Sequence, residues 1–432
     1  MIGIGVVLLL VPLALAGRLA WNSRDIPAPD VSDLTLQPRQ LPAEQDAYTH
    51  FERAAAALVW PKDAAFLRLD AAPQPDDEAR VSELVVTNGE ALRHLKSGLA
   101  CEACLGPQDW RYDATVPVIR WQNLGRLLAA QTRCELRAGH RTQAVAACAD
   151  SLRFSDFLTR DASCAVVWLI GTSNLALGTH WTVMIASDPE TSEADLAELL
   201  RALNAITPFE RGLERAFKSE YMIVGDAISR VEKGTMKIPD GGGEIPEQPR
   251  WLPLPASYLF QPNRCRLVAA ESVRAAIWAI PRCVAEALPE RGASGLTGEE
   301  SALELYRKPN PHGRKLLGTV GADLRGLIHT KDRAEGRLSG ARLVVALRLF
   351  EKRTGKLPAT LAELVPAYLP AVPRDPYDGN PFRYAPEKRL VYAVGMDLKD
   401  SGGTPTPPRK PGEKKSKANP DEVFGLDAAG QE

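Results

Sequence analysis

The stretch RLVVALRLFEKRTGKLPATLAELVPAYLPAVPRDPYDGNPFRYAPEKRLVYAVGMDLKDSGG, residues 342–403, decides how the rest of the chain is read. Its first part has helical spacing. Together with the residues before it, Leu324, Leu327, Ile328, Leu338, Ala341, Val345 and Leu349 trace one apolar stripe. Gly355 stands where a helix ends on a left-handed residue. Pro358 stiffens the exit, and Leu361 and Leu364 seat a single turn back on the helix. Asp378-Gly379 makes a tight turn, and PFRYAPEKRLVYAV alternates as a β-hairpin. The stretch therefore predicts a small α+β head built on the end of a long helix.

The chain around it has 432 residues, enough for two or more domains. Apolar content of 45% and charged content of 25% are ordinary globular values, and a formal net charge of −1 gives no bulk basic field for nucleic acid. Abundant alanine, leucine and arginine favour helix, so the fold class expected is mainly α.

The N-terminus differs from this bulk. From Ile2 to Ala16 every residue is apolar, glycine or proline. Extended through Arg18 to Trp21, the run covers roughly 30 Å at about 1.5 Å per helical residue, one hydrocarbon core. Arg18 can snorkel and Trp21 suits the headgroup belt. Ala14-Leu15-Ala16 also fits a signal-peptide cleavage pattern, although no Lys or Arg precedes the run, and a buried core helix is the third reading. The first two place the bulk outside the cytoplasm. The expected location is a single-pass membrane protein with its body on the periplasmic side, or a secreted protein after cleavage.

Seven segments follow from composition and periodicity. They are an anchor or signal (1–22), a proline-rich spacer (23–42) that holds the next part off the membrane, and a helical domain (43–237). A Gly/Pro-rich linker (238–263), a helical segment (264–320) and the long helix with its head (321–403) come next. A flexible tail (404–432) ends the chain, with a short strand at 422–426. Within the helical domain, helices are expected at about 78–96, 116–138, 140–159, 163–186, 193–206 and 209–233, with Ser192 as an N-cap. LLAAQTRCELRAGHRTQAVAACADSL, turning at Gly139, is similar to one tetratricopeptide hairpin, but no 34-residue array repeats it, so a multi-helix bundle is expected. A helix at about 264–288 should kink at Pro281, and residues 310–355 read as one long helical stretch.

The pieces ALRLFEKRTGKLPATLAELVPAYLP, VPRDPYDGNPFRY and VYAVGMDLKD resemble the globular head of the major pseudopilin of type II secretion systems. The likeness covers about a seventh of the chain, residues 341–403. A pseudopilin has a hydrophobic N-terminal helix, with an early glutamate, that runs straight into its head. Here the apolar run carries no acidic residue and lies some three hundred residues upstream, so the resemblance implies a reused head and no standard filament. The whole chain is similar to bacterial membrane-anchored helical proteins with such a head, a likeness that implies no activity.

The resemblance also implies calcium in the loop after the last long strand, which selects Asp397 and Asp400, with Asp421 and Glu422 downstream. Read without it, these are a solvated acidic turn beside a lysine-rich insertion. Cys101-Glu102-Ala103-Cys104 is a C-x-x-C that can be a thiol pair or half a zinc site, yet it lacks the βαβ setting of a redox motif and a second ligand pair. Cys134 and Cys148 lie at unequal distances from the Gly139 turn and should not bond; Cys164, Cys265 and Cys283 read as core residues. No H-E-x-x-H, G-x-S-x-G or P-loop is present. Glu210, Glu214 and Glu220 are expected to pair with Arg211, Arg215 and Lys218 on a wet face.

The leading expectation is thus a membrane-anchored envelope protein that scaffolds or binds a partner protein, with the bilayer as its other partner and calcium as the one cofactor for which a place is offered. The alternatives are an envelope hydrolase whose site gathers some of His94, Asp109, His180, Glu214 and Glu220, or a calcium- or thiol-responsive sensor.

Overall fold

A computed structural model describes residues 14, 16–67, 76–114, 118–238, 253–291, 302–404 and 421–427. In chain order its helices are α1 (Ala47–Ala57), α2 (Asp77–Thr87), α3 (Gly89–Leu99), α4 (Val118–Arg137), α5 (Arg141–Arg160), α6 (Ala165–Ser187), α7 (Glu193–Asn204) and α8 (Phe209–Glu232). The short α9 (Ala256–Leu259) precedes α10 (Pro262–Ala279), α11 (Val284–Arg291), α12 (Ala302–Arg307), α13 (Pro311–Val320) and the long α14 (Leu324–Thr354). The head adds strands β1 (Arg383–Ala385), β2 (Leu390–Ala393) and β3 (Glu422–Gly425).

Local chemistry sets most of these boundaries. Gly139, at φ +77°, makes the turn between α4 and α5. Ser192 accepts from the Asp195 N–H at 3.1 Å and caps α7 as expected. The helix expected at 78–96 is instead two, because Asn88 breaks it. Its buried amide exchanges hydrogen bonds with the Val59 backbone at 2.7 and 2.9 Å and also donates to the Leu84 carbonyl, which diverts the chain. The stretch 310–355 likewise divides at Gly321 into α13 and α14, and the kink expected at Pro281 is a full break between Ala279 and Val284.

Helix α6 is central. It is apolar around most of its circumference and packs against α4, α5, α8 and α14. Small residues let its neighbours close in: a Cβ on Gly171 would come within 2.9 Å of the Thr159 amide nitrogen, and one on Gly212 of α8 within 1.9 Å of the Thr159 carbonyl oxygen. A second apolar cluster joins α1–α4 to α5 and α6 around Phe51, whose ring meets Phe154 edge-on at 4.9 Å and Trp121 at 6.1 Å.

The first cluster runs unbroken from the bundle into the head. Three antiparallel strands in the order β1-β2-β3 lie over α14. The register sets Tyr392 opposite Val423 and Ala393 opposite Glu422. Gly336 and Gly340, one turn apart on α14, make room for β3: a Cβ on Gly340 would stand 2.4 Å from the Phe424 ring. The first N–H groups of α11, from Val284 and Ala285, are satisfied by the carbonyls of Pro376 and Tyr377 at 3.0 and 2.9 Å. The hairpin, the Asp378-Gly379 turn, the Leu361–Leu364 turn and the returning strand thus all form where the sequence places them.

Residues 23–42 do not stand free as a spacer. Leu34 is buried, Arg274 of α10 pairs with Asp33, and Arg39 reaches Asp161 at 3.0 Å. Polar side chains at regular intervals bolt the segment to the bundle. Among the described residues no helix is long and apolar enough to cross a membrane. The run Ile2–Ala16 lies, apart from Ala14 and Ala16, outside the described residues.

Two glycine substitutions should move stability in opposite directions. Gly340→Ala forces a methyl into the Phe424 ring and should lower the unfolding free energy by about 1–3 kcal/mol. Gly225→Ala, within α8 and with nothing inside 4 Å of the added carbon, should raise it by about 0.5–1 kcal/mol. Urea unfolding of the two variants checks the pair.

Candidate functional site

The basic residues of α14 form the first constellation. Arg342 donates through Nε and Nη2 to the Leu203 carbonyl, at 3.3 and 2.8 Å, in the last turn of α7. Arg348, itself buried, donates to the Ala186 carbonyl in the last turn of α6 at 3.1 Å. Lys352 reaches the Pro189 carbonyl at 2.7 Å and Arg353 pairs with Glu193 at 2.6 Å. Helix C-termini carry unsatisfied carbonyls and partial negative charge, so cations there are stabilised. Burial pushes the Arg342 guanidinium below its ordinary range, and among the described residues no carboxylate pairs with it. Its compensation is the end of α7.

A second constellation lies where α14 meets the head. Asp375, buried, accepts from the Tyr377 and Val394 N–H groups at 2.8 Å each and from Arg383 at 2.5 Å. Arg383 also pairs with Asp378 and stands 3.5 Å from Asp400. Further along α14, the buried Lys331 pairs with Glu335 at 2.8 Å and lies 3.8 Å from Asp332. Burial is the main reason that the Glu335 carboxyl is pushed up to about 7, against the pull of Lys331 and helped by Glu210 and Asp332.

The four acidic positions expected to hold calcium are divided between different tasks. Asp397 and Asp400 are exposed and cap their own turns through the Lys399 and Gly402 N–H groups. Asp421 is buried and accepts from Ser401 at 3.0 Å and Gly403 at 2.9 Å. Glu422 turns toward α14, facing Arg337 at 3.4 Å and the Tyr377 hydroxyl at 3.4 Å, and burial pushes its carboxyl up. Among the described residues no three His, Cys, Asp or Glu side chains stand together where they could hold a metal ion.

Cys101 and Cys104 are free and buried between α3 and α5. Burial raises both thiols, Cys104 well above its ordinary range, with Asp46 and Asp161 adding to the effect. The loop that carries them is held instead by arginines: Arg153 donates to the Leu99 and Cys101 carbonyls, Arg160 to Glu102, and Asp161 accepts from the Cys104 N–H. Cys134 and Cys148 are unbonded, as spacing implies. Cys164 and Cys265 are core residues, whereas Cys283 is only half-buried.

The residues named for a dispersed hydrolase site do not converge on one cavity. His94 sits 3.8 Å from Glu90 on α3, Asp109 pairs with Arg111, and Glu214 pairs with Lys218. His180 stacks edge-on against Trp181, its pKa lowered by burial. Glu220 is not on a wet face. It is half-buried and accepts from the Ala165 N–H at 2.9 Å, capping α6 from α8. Among the described residues an open groove of about 520 Å³ lies between α7, α14 and the head, lined by Leu200, Arg201, Asn204, Leu349, Arg353 and Tyr368 among others. Its lining mixes alanine and leucine side chains with Arg201, Asn204 and Arg353, whose guanidinium stands 5.4 Å from the centre of the Tyr368 ring. Such a lining can bind but offers no nucleophile with an adjacent base.

Sequence reasoning missed Arg342, Arg348, Lys331 and Glu335. The available signal was charge inside an apolar helical stripe, since such groups stay charged only with a partner. No family model, curated protein or solved structure matches the chain.

Two outcomes follow from these charges. Glu335 is ordinary near 4.5 when unfolded and holds its proton to about 7 when folded, so the native state binds more protons between those values and stability falls as pH rises through them. Urea midpoints from pH 4.5 to 7.5 should decline in the wild type and decline less in Glu335→Gln. Asp421→Ala should cost about 1–3 kcal/mol by leaving the Ser401 and Gly403 N–H groups without their acceptor, whereas Asp397→Ala should stay within about 0.5 kcal/mol.

Proposed function

We propose that the chain is a single-pass, membrane-anchored envelope protein that acts by holding a partner protein, with a pseudopilin-like head reused as a fixed part of its scaffold. The observation that carries this reading is the double duty of α14. The same helix supports the strands of the head and is buried along the bundle, where its arginines cap α6 and α7. A head fixed in this way has no free helix with which to enter a filament. The groove between α7, α14 and Tyr368 is the place on the body where a partner segment fits. Scaffolding is favoured over hydrolysis because the candidate acids, bases and histidines are engaged in separate structural roles. The anchor itself rests on the apolar run Ile2–Ala16 of the sequence.

Alkaline carbonate extraction of native membranes tests the anchor: the chain should remain in the pellet, and full release to the supernatant would sink the spanning helix. A photo-crosslinking residue at Tyr368 or Ala197 should give a discrete adduct that is absent when the same residue stands at Gly225. Equal labelling from both faces would remove the groove from the proposal.

A further inference from the structure

The N-terminal helix joins the body without slack. Residues 16–22 are helical, and the Asn22 carbonyl at their end accepts from the Gln261 side-chain amide at 2.7 Å. Three residues on, the Asp25 carboxylate accepts from the Asn263 and Arg264 N–H groups at 2.9 and 3.1 Å, capping α10, and the Asn263 amide donates to the Ile26 carbonyl at 3.0 Å. The turn before α13 closes the same corner. The Gln261 N–H donates to Asn310 Oδ1 at 2.8 Å, and the Asn310 N–H to the Tyr258 carbonyl at 2.9 Å. The helix exit, α9, the start of α10 and residues 307–310 therefore share one surface.

The charge on that surface is one-sided. Arg18, Arg24 and Arg307 are exposed and Arg264 is half-exposed, its Nε buried without an acceptor. Arg18 lies close enough to Tyr258 for its charge to act on the phenol. The acidic side chains described here are Asp25, engaged in the α10 cap, and Glu304. Trp21, between Arg18 and Arg24, is 73% exposed. An exposed indole among guanidinium groups at a helix end suits the membrane interface, with the ring at headgroup level and the cations on phosphates.

We propose that this corner is a docking face for the headgroups of anionic phospholipids and sets how the body sits on the bilayer. The proposal rests on the single-pass reading. Trp21 is followed directly by Asn22, whose carbonyl makes the first bond to the body, so the helix exit stays within the roughly 8–10 Å over which surface charge is felt at physiological salt. At such a surface each basic residue strengthens attachment about fivefold.

The test uses the full-length protein in nanodiscs of phosphatidylcholine alone or with about one third phosphatidylglycerol. The melting midpoint should be higher, and hydrogen exchange at residues 256–264 and 305–311 slower, in the anionic discs. The difference should vanish at about 1 M salt. It should also vanish in the double variant Arg24→Glu, Arg307→Glu, whose midpoint in phosphatidylcholine stays that of the wild type and so reports an intact fold. Equal behaviour of the wild type in both discs overturns the proposal. So does an equal shift from inorganic phosphate in detergent, which would reveal a plain anion site. Carbonate extraction separates the two levels: a released chain defeats the anchor, while a retained chain indifferent to headgroup charge defeats this inference alone.

Discussion

The C-terminal half of the molecule depends on the buried Arg348 and the half-buried Arg342 of α14 meeting the carbonyl ends of two other helices. Arg348 closes α6 and Arg342 closes α7. Neither contact is a conventional surface ion pair, which would contribute little. Each places a planar donor on a carbonyl at a helix end: Arg348 on that of Ala186, and Arg342 on that of Leu203, which also accepts from the Ile206 N–H at 3.3 Å. The orientation of α14 is fixed by these points. The strands resting on Gly336 and Gly340 inherit that orientation, as does α11, whose first turn takes its acceptors from the Asp375–Tyr377 segment.

Much of this architecture was legible in the sequence, because the signals were local. Gly355 ends α14 in the left-handed conformation, the Leu361–Leu364 turn is buried on the helix, and the short strand after the tail pairs with β2. These features need only the chemistry of adjacent residues. What escaped were tertiary assignments. Asn88 looks like one more polar residue on a helix until its amide is seen against Val59. Residues 23–42 have the composition of a free proline-rich linker, but composition reports what a segment can do alone, not which arginines across the fold will hold it. The candidate site was less legible for the same reason. Asp397, Asp400, Asp421 and Glu422 are close in sequence, yet the turn at Ser401–Gly403 and the pairing of β3 with β2 send their carboxylates to different neighbours.

The buried charges also separate positioning from chemistry. Lys331, Asp332, Glu335, Asp375 and Arg383 would attract attention in any cleft, since shifted carboxyls and paired cations are what catalysis uses. Here they lie between α14 and the layers packed on it, outside the residues that line the groove. Shifted ionisation in this fold follows burial, along α14 as at Cys104, His180 and Glu220.

One small contact has a broader consequence. The Asp421 carboxylate gathers the N–H groups of Ser401 and Gly403, so the chain leaving the head at Thr404 and the chain re-entering at Asp421 are clasped at a single point. The two ends of any insertion between them are therefore already held together. Lengthening such a loop adds only about 0.6 kcal/mol per doubling. An insertion between Thr404 and Asp421, from a peptide epitope to a folded module, therefore adds little closure cost to the head.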